Sequence, residues 1–186
     1  LKESKRMNQF FEKTDGSLYN CSFIYVAILF TKAKAVGYFK SFLDMVKKMN
    51  LKIDLINCAD KNMRSPLMFA AMCRRYQHVS QLINYGADIR SRDNEGNSIW
   101  HYVDVESVFR NIYESRAGDV SITVDDVNNK GETPLHIACK NGNLPVLKCF
   151  ARIIADQKIL TIADKEGYTP LDNSLLSNSN SCIEFL

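Results

Sequence analysis

Four stretches of the chain repeat one order of polar and apolar positions. They are Arg64-Ser65-Pro66-Leu67-Met68-Phe69-Ala70, Asn97-Ser98-Ile99-Trp100-His101-Tyr102-Val103, Glu132-Thr133-Pro134-Leu135-His136-Ile137-Ala138 and Tyr168-Thr169-Pro170-Leu171-Asp172-Asn173-Ser174. The hydroxyl residues stand at 65, 98, 133 and 169, so the steps are 33, 35 and 36 residues. A recurring step of about 33 residues points to stacked repeats. In each copy Ser or Thr is suited to accept the first free amides of a helix. Proline fits the first helical turn, where its missing N–H costs nothing. Leu, Ile or Trp then opens a buried stripe, and a histidine at the fourth place (His101, His136) can bond back toward the loop. Alanine lets two helices approach closely.

Each cap follows a turn. Asp93-Asn94-Glu95-Gly96 and Asp164-Lys165-Glu166-Gly167 match, Asn128-Asn129-Lys130-Gly131 substitutes Asn for Asp, and Asp60-Lys61-Asn62-Met63 has lost the glycine. Asp or Asn closes such turns through its side chain, and glycine accepts positive φ. A second helix is predicted at a constant offset: Val79, Ile112, Leu147 and Ile183 each lie 14 residues past the cap. Gly86 supplies a glycine end to the helix around Val79.

Four in-phase copies with phased turns and second helices resemble the ankyrin-repeat family over roughly residues 60–186, with Thr133-Pro134-Leu135-His136-Ile137-Ala138 the most recognisable motif. The resemblance implies an all-α solenoid, an ankyrin-repeat stack of helix pairs with short hairpin-like connecting loops. A degenerate first copy precedes, with Ser22-Phe23-Ile24-Tyr25-Val26-Ala27 as its helix start and Phe42-Leu43-Asp44-Met45-Val46 as its second helix. The expected division is an N-terminal segment at 1–20, with a short helix such as Lys5–Lys13 or the end of a preceding element, and a repeat domain at 21–186. Its five units are 21–59 (degenerate), 60–92, 93–127 (divergent second helix), 128–163 (extended second helix) and 164–186 (truncated). In the third unit Ala117–Thr123 is expected to form a helix end and loop. In the fourth, Gln157-Lys158-Ile159-Leu160 is expected to lengthen the second helix. A stack end wants a polar cap. Ile183, Phe185 and Leu186 are apolar there, so further protein is expected to follow.

Composition narrows the function. Hydrophobic residues make up 46% of 186, enough for a core, and only 8 Gly and 4 Pro argue against a disordered chain. A net charge of +3 lacks the concentrated basic face that nucleic acid wants. Lys32, Lys34, Arg74, Arg75, Arg90 and Arg92 are the basic candidates, and Asp88, Asp93 and Glu95 interrupt them. Cys21, Cys58, Cys73, Cys139, Cys149 and Cys182 show no C-x-x-C spacing and sit among apolar or small neighbours. They read as reduced core residues in an intracellular protein, cytoplasmic or nuclear. The longest apolar run, Phe23–Phe30, is far short of the roughly 20 residues that span a bilayer.

Chemistry is thin. His101 and His136 fit structural bonding, and His78 lies beside Val79 in a second helix. No serine occupies a strand-to-helix elbow. Asp54 and the Asp125-Asp126 pair have no calcium-loop pattern around them, and no glycine-rich phosphate loop occurs. The reading is a non-enzyme with no cofactor and no metal.

In the resembled family partners contact the residues inside the turn, the one before the cap and a pair late in the first helix, all on the concave side. Carried over, this implies Lys61, Asn62, Arg64, Met72 and Cys73 in the second unit, and Asn94, Glu95, Asn97, Val105 and Glu106 in the third. The fourth offers Asn129, Lys130, Glu132, Lys140 and Asn141, and the fifth Lys165, Glu166, Tyr168, Leu176 and Ser177. Arg and Tyr dominate interface hot spots, which adds weight to Arg64, Arg74, Arg75, Tyr76, Arg92 and Tyr168. Trp100 fits burial or partner contact. The expected function is binding of a partner protein or peptide. The alternatives are a regulatory or substrate-recruiting module of a larger enzyme, a microbial effector domain acting on a host protein, and self-association.

Overall fold

The computed structural model describes residues 22–31, 36–49, 54–115, 126–153 and 157–186. Among these, α1 is Ser22–Phe30, α2 Val36–Lys48, α3 Pro66–Met72, α4 Tyr76–Asn84, α5 Glu106–Ser115, α6 Pro134–Lys140, α7 Leu144–Ile153, α8 Pro170–Leu176 and α9 Asn180–Ile183. Ile99–Tyr102 and Gln157–Thr161 are short 3-10 segments, and no strand occurs among the described residues. The segment Lys5–Lys13, Cys21, Lys32, Lys34, Ala117–Thr123 and Asp125 lie outside the described residues.

The helices stack in two rows. α1, α3, Ile99–Tyr102, α6 and α8 form the first row, and α2, α4, α5, α7 and α9 the second. The core fills the space between rows. It includes Ile24, Phe39 and Leu43 at one end, Leu67, Val79 and Leu82 next, and Leu135, Leu147 and Phe150 further on, all buried. Each such side chain contributes roughly 1.5–3 kcal/mol on leaving water. Buried Ala70, Ala71 and Ala138 on the first row leave room for the neighbouring helix.

Capping explains where the first-row helices begin. Ser65 Oγ accepts from Met68 N–H at 3.3 Å, and Thr133 Oγ1 accepts from His136 N–H at 3.4 Å. Thr169 does the same for Asp172 at 3.3 Å, with Asp172 returning a bond to the Thr169 amide at 2.8 Å. Proline follows each of these caps.

Three expectations change. The first helix of the third unit shrinks to the 3-10 segment Ile99–Tyr102, with Val103 extended after it. Glu106 therefore opens α5, and Val105 just precedes it, so neither lies on a first helix. In the fourth unit Gln157–Thr161, expected to lengthen the second helix, form a 3-10 segment that buries Ile159, and α7 is described to Ile153. Trp100 is 4% exposed and packs on Phe109 and Phe150, with ring centroids 5.6 and 6.3 Å away.

Candidate binding face

The turns share one internal design. Asp60 Oδ1 accepts the amides of Asn62 and Arg64, and Asp93 Oδ1 those of Glu95 and Asn97. Asn128 Oδ1 takes Lys130 and Glu132, and Asp164 Oδ1 takes Glu166 and Tyr168. One short side chain thus satisfies two turn amides each time. Successive tips are joined through the backbone: Asn94 N–H donates to Asn62 O at 2.9 Å, Asn129 N–H to Glu95 O at 2.8 Å and Lys165 N–H to Lys130 O at 2.9 Å. Side-chain amides reinforce this, Asn94 to Lys61 O and Asn129 to Asn94 O. The tips form a connected ladder that presents Lys61, Asn62, Asn94, Glu95, Asn129, Lys130, Lys165 and Glu166 to solvent.

The histidines hold the ladder to the first helices. His101 Nε2 donates to Glu132 O and His136 Nε2 to Tyr168 O, each at 3.0 Å. A carbonyl only accepts, so Nε2 carries the proton. Nδ1 is then free to accept from the Ser98 and Thr133 amides, at 3.1 and 3.0 Å. Burial pushes both imidazoles below their ordinary pKa, against the raising effect of these carbonyls. Ser98 Oγ also lies 3.0 Å from His101 Nδ1 and donates to Asp126 at 2.8 Å. All three residues are buried, and the serine sits between acid and imidazole. A nucleophile needs to be reachable and to give its proton to the base, so this is a structural bond set.

The sequence-selected residues divide into presented and engaged groups. Asn94, Glu95, Lys130 and Lys165 are exposed at the tips. Lys140 and Asn141 are exposed at the end of α6, Tyr76 at the start of α4, and Tyr168 before α8. Arg64 is turned back onto Asp60 at 2.6 Å, with Met72 Sδ 3.7 Å from Nη1. Arg74 pairs with Asp104 at 2.7 Å, and Arg75 donates to Leu29 O at 3.1 Å, tying α4 to α1.

Three of the selected residues are structural instead. Arg92 reaches the next unit: it donates to Gly96 O, Val127 O and Asp126 Oδ1, at 2.7, 3.0 and 2.6 Å. Asn97 is buried, donates to Asp93 and accepts from Asn128. Glu132 is also buried, accepting from Asn128 at 2.9 Å and Lys140 at 3.3 Å. The residue before the cap is buried in the third and fourth units, Asn97 and Glu132, but exposed in the fifth, Tyr168. Met72 remains exposed, whereas Cys73 is half-buried.

A cleft of about 360 Å³ opens between the fourth and fifth units. Lys130, Glu132, Lys140, Asp164, Glu166, Tyr168, Asn173, Leu176 and Ser177 line it. Burial raises the Glu132 carboxyl, but Asn128, Lys140 and Lys130 outweigh it and hold the group below its ordinary range. Sequence reasoning selected every lining residue except Asp164 and Asn173. Asn173 was legible: it occupies the slot held by Phe69, Tyr102 and Ile137 in the other units.

Among the described residues no group of three or more His, Cys, Asp or Glu could hold a metal ion, and no helix is long and apolar enough to cross a membrane. Cys73, Cys139, Cys149 and Cys182 are free thiols, the last three buried.

Comparison with known proteins agrees with this geometry. A family model described as ankyrin repeats (3 copies) matches residues 105–186, and one described as ankyrin repeat matches 62–91. The chain is 27% identical over 124 residues to an ankyrin repeat protein of fowlpox virus, covering 58% of this chain and 23% of that protein. It is 34% identical over 122 residues to an ankyrin repeat protein of Acanthamoeba polyphaga mimivirus, covering 61% and 16%. A second fowlpox virus ankyrin repeat protein is 29% identical over 154 residues, covering 79% and 44%. This chain therefore spans less than half the length of each of these relatives.

Proposed function

The chain belongs to the ankyrin-repeat family, whose repeats generally mediate protein–protein interactions, and from that premise we propose that it binds a partner protein or peptide across its turn tips and first-row helices. The observation that carries this reading is the linked ladder of tips. Backbone bonds at 2.8–2.9 Å fix the ladder before any partner arrives. Side chains held on such a frame lose little freedom on binding, and preorganisation of this kind raises affinity. The surface they offer is mixed: exposed Lys61, Lys130 and Lys165 alternate with Asn62, Asn94, Asn129, Glu95 and Glu166. Mixed charge of this sort selects a complementary polypeptide.

The test is selection of peptides from a displayed random library on the immobilised chain. Binding is then remeasured on Lys61→Glu/Lys165→Glu and on Glu114→Lys, which alters exposed α5 in the second row. Selected peptides should bind the tip variant at least about tenfold more weakly, the loss expected for a disrupted charged contact, and the α5 variant unchanged. Equal binding to the tip variant, at equal thermal stability, would place the interaction elsewhere.

A further inference from the structure

Resting on that reading, we infer that the cleft between α6 and α8 is a receptor for one acidic side chain of the partner, with Asn173 at its floor. Asn173 is 6% exposed, and its amide nitrogen has no hydrogen-bond partner. A buried donor left unpaired costs about 1–3 kcal/mol. The repeat offers an easy escape from that cost. The same slot carries half-buried Phe69, Tyr102 and Ile137 in the other units. In the fifth unit a shorter, polar side chain stands there, beside open volume of about 360 Å³. The fold gives up an apolar contact and gains an unused donor that lines the cleft.

Two of the cleft's three acids are engaged, and the third, Glu166, is exposed at its rim. Glu132 accepts from Asn128 and Lys140 on its two oxygens, and Asp164 Oδ1 accepts two turn amides. The donors are the Asn173 amide, exposed Lys130, and Lys140, whose side chain is 56% exposed and which uses one bond on Glu132. The exposed Leu176 and the Tyr168 ring offer apolar surface to the stem of the entering residue. A glutamate or aspartate brings an acceptor to the amide, a counter-charge to the lysines and methylenes to Leu176. A lysine or arginine brings only donors and would leave the amide nitrogen without an acceptor.

The experiment titrates the folded chain with a short Gly-Ser peptide carrying one glutamate, followed by the Asn173 side-chain resonances in nitrogen–proton NMR. The glutamine and lysine counterparts are run in parallel. The glutamate peptide should shift these resonances saturably and bind about tenfold more tightly than the glutamine peptide, the gain of a hydrogen bond to a charged group. Lys130→Gln should weaken it without altering thermal stability. Asn173→Ile restores the apolar slot: it should be at least as stable as the unaltered chain and bind the glutamate peptide no better than the glutamine one. Preference for the lysine peptide, undiminished binding by Asn173→Ile, or a loss of stability in that variant would each overturn the inference. If library peptides still need Lys61 and Lys165 while the glutamate peptide fails, the cleft assignment falls and the wider reading stands.

Discussion

Arg92 Nη2 lies 2.6 Å from Asp126 Oδ1, and these two residues, 34 apart in sequence, bolt the approach to one turn onto the approach to the next. Asp126 Oδ2 takes the Ser98 hydroxyl at 2.8 Å, so one buried carboxylate joins the cap of the third unit to the arginine. Asp126→Ala should destabilise the chain by about 2 kcal/mol, the cost of stripping a hydrogen-bonded, half-screened pair. Arg92→Glu should cost at least as much, because it sets two carboxylates together. Urea midpoints measure both. A shift near zero for Asp126→Ala would show the pair to be ornamental.

The first turn tests backbone strain directly. Met63 has φ 59° where the matching Gly96 has φ 75°. A side chain in this region costs roughly 1–2 kcal/mol. Met63→Gly should therefore stabilise by about 1 kcal/mol, after allowing for glycine's greater freedom when unfolded. The reverse holds at Gly96. A Cβ there would sit 2.6 Å from Asn129 Oδ1 and 3.0 Å from Asn129 N, inside the contact between tips. Gly96→Ala should destabilise by more than about 1 kcal/mol. Urea denaturation of the two variants, read in opposite directions, decides the matter.

Acid should act in two stages. His101 and His136 are held neutral by burial, with their pKa below the ordinary value. The unfolded histidine titrates near about 6.5. Above that pH both states are neutral and the full contribution is present. Below it the unfolded chain binds more protons, so stability falls as pH drops through the folded pKa. The carboxylates follow at lower pH. Burial pulls Asp93 upward, but Tyr102, Asn97 and Glu95 outweigh it and hold it below its usual range. Its contribution is present above about pH 4 and lost below. Urea midpoints at pH 7.5, 6 and 5 should already decline. His101→Gln/His136→Gln should start lower and show a flatter profile there, with buried His78, also depressed by burial, leaving a residual slope. An unaltered slope in that variant would contradict the assignment.

Register was the legible part of this molecule. Ser65, Thr133 and Thr169 cap helices as their spacing predicts, because capping is a local bond between residues three apart. What escaped was set by partners distant in sequence. Arg92 reads as a free cation until Asp126 folds against it, and Glu132 reads as a surface acid until Asn128 and Lys140 enclose it. The first helix of the third unit is a short 3-10 segment whose Trp100 packs on Phe109 and Phe150, a packing outcome that periodicity does not encode. Asn173 is the opposite case. Its misfit with Phe69, Tyr102 and Ile137 is visible in the alignment of the repeats, but its meaning needed the unpaired amide.

Trp100, the chain's single tryptophan, gives an optical report on that packing. Its ring packs against both Phe109 and Phe150, which are themselves 5.1 Å apart edge to face. Phe109 comes from α5 and Phe150 from α7, so the indole senses the closure of two neighbouring second-row helices. Its emission should be that of a buried indole and should move to longer wavelength on unfolding. Trp100→Ala should cost about 3–5 kcal/mol, the range for emptying a large aromatic site. Phe109→Ala is the sharper test. It leaves the fluorophore in place, removes one wall and should shift the folded-state emission as well as lower the urea midpoint. A midpoint loss with unchanged emission would mean that Phe109 supports α5 without touching the indole, and the aromatic cluster would have to be redrawn.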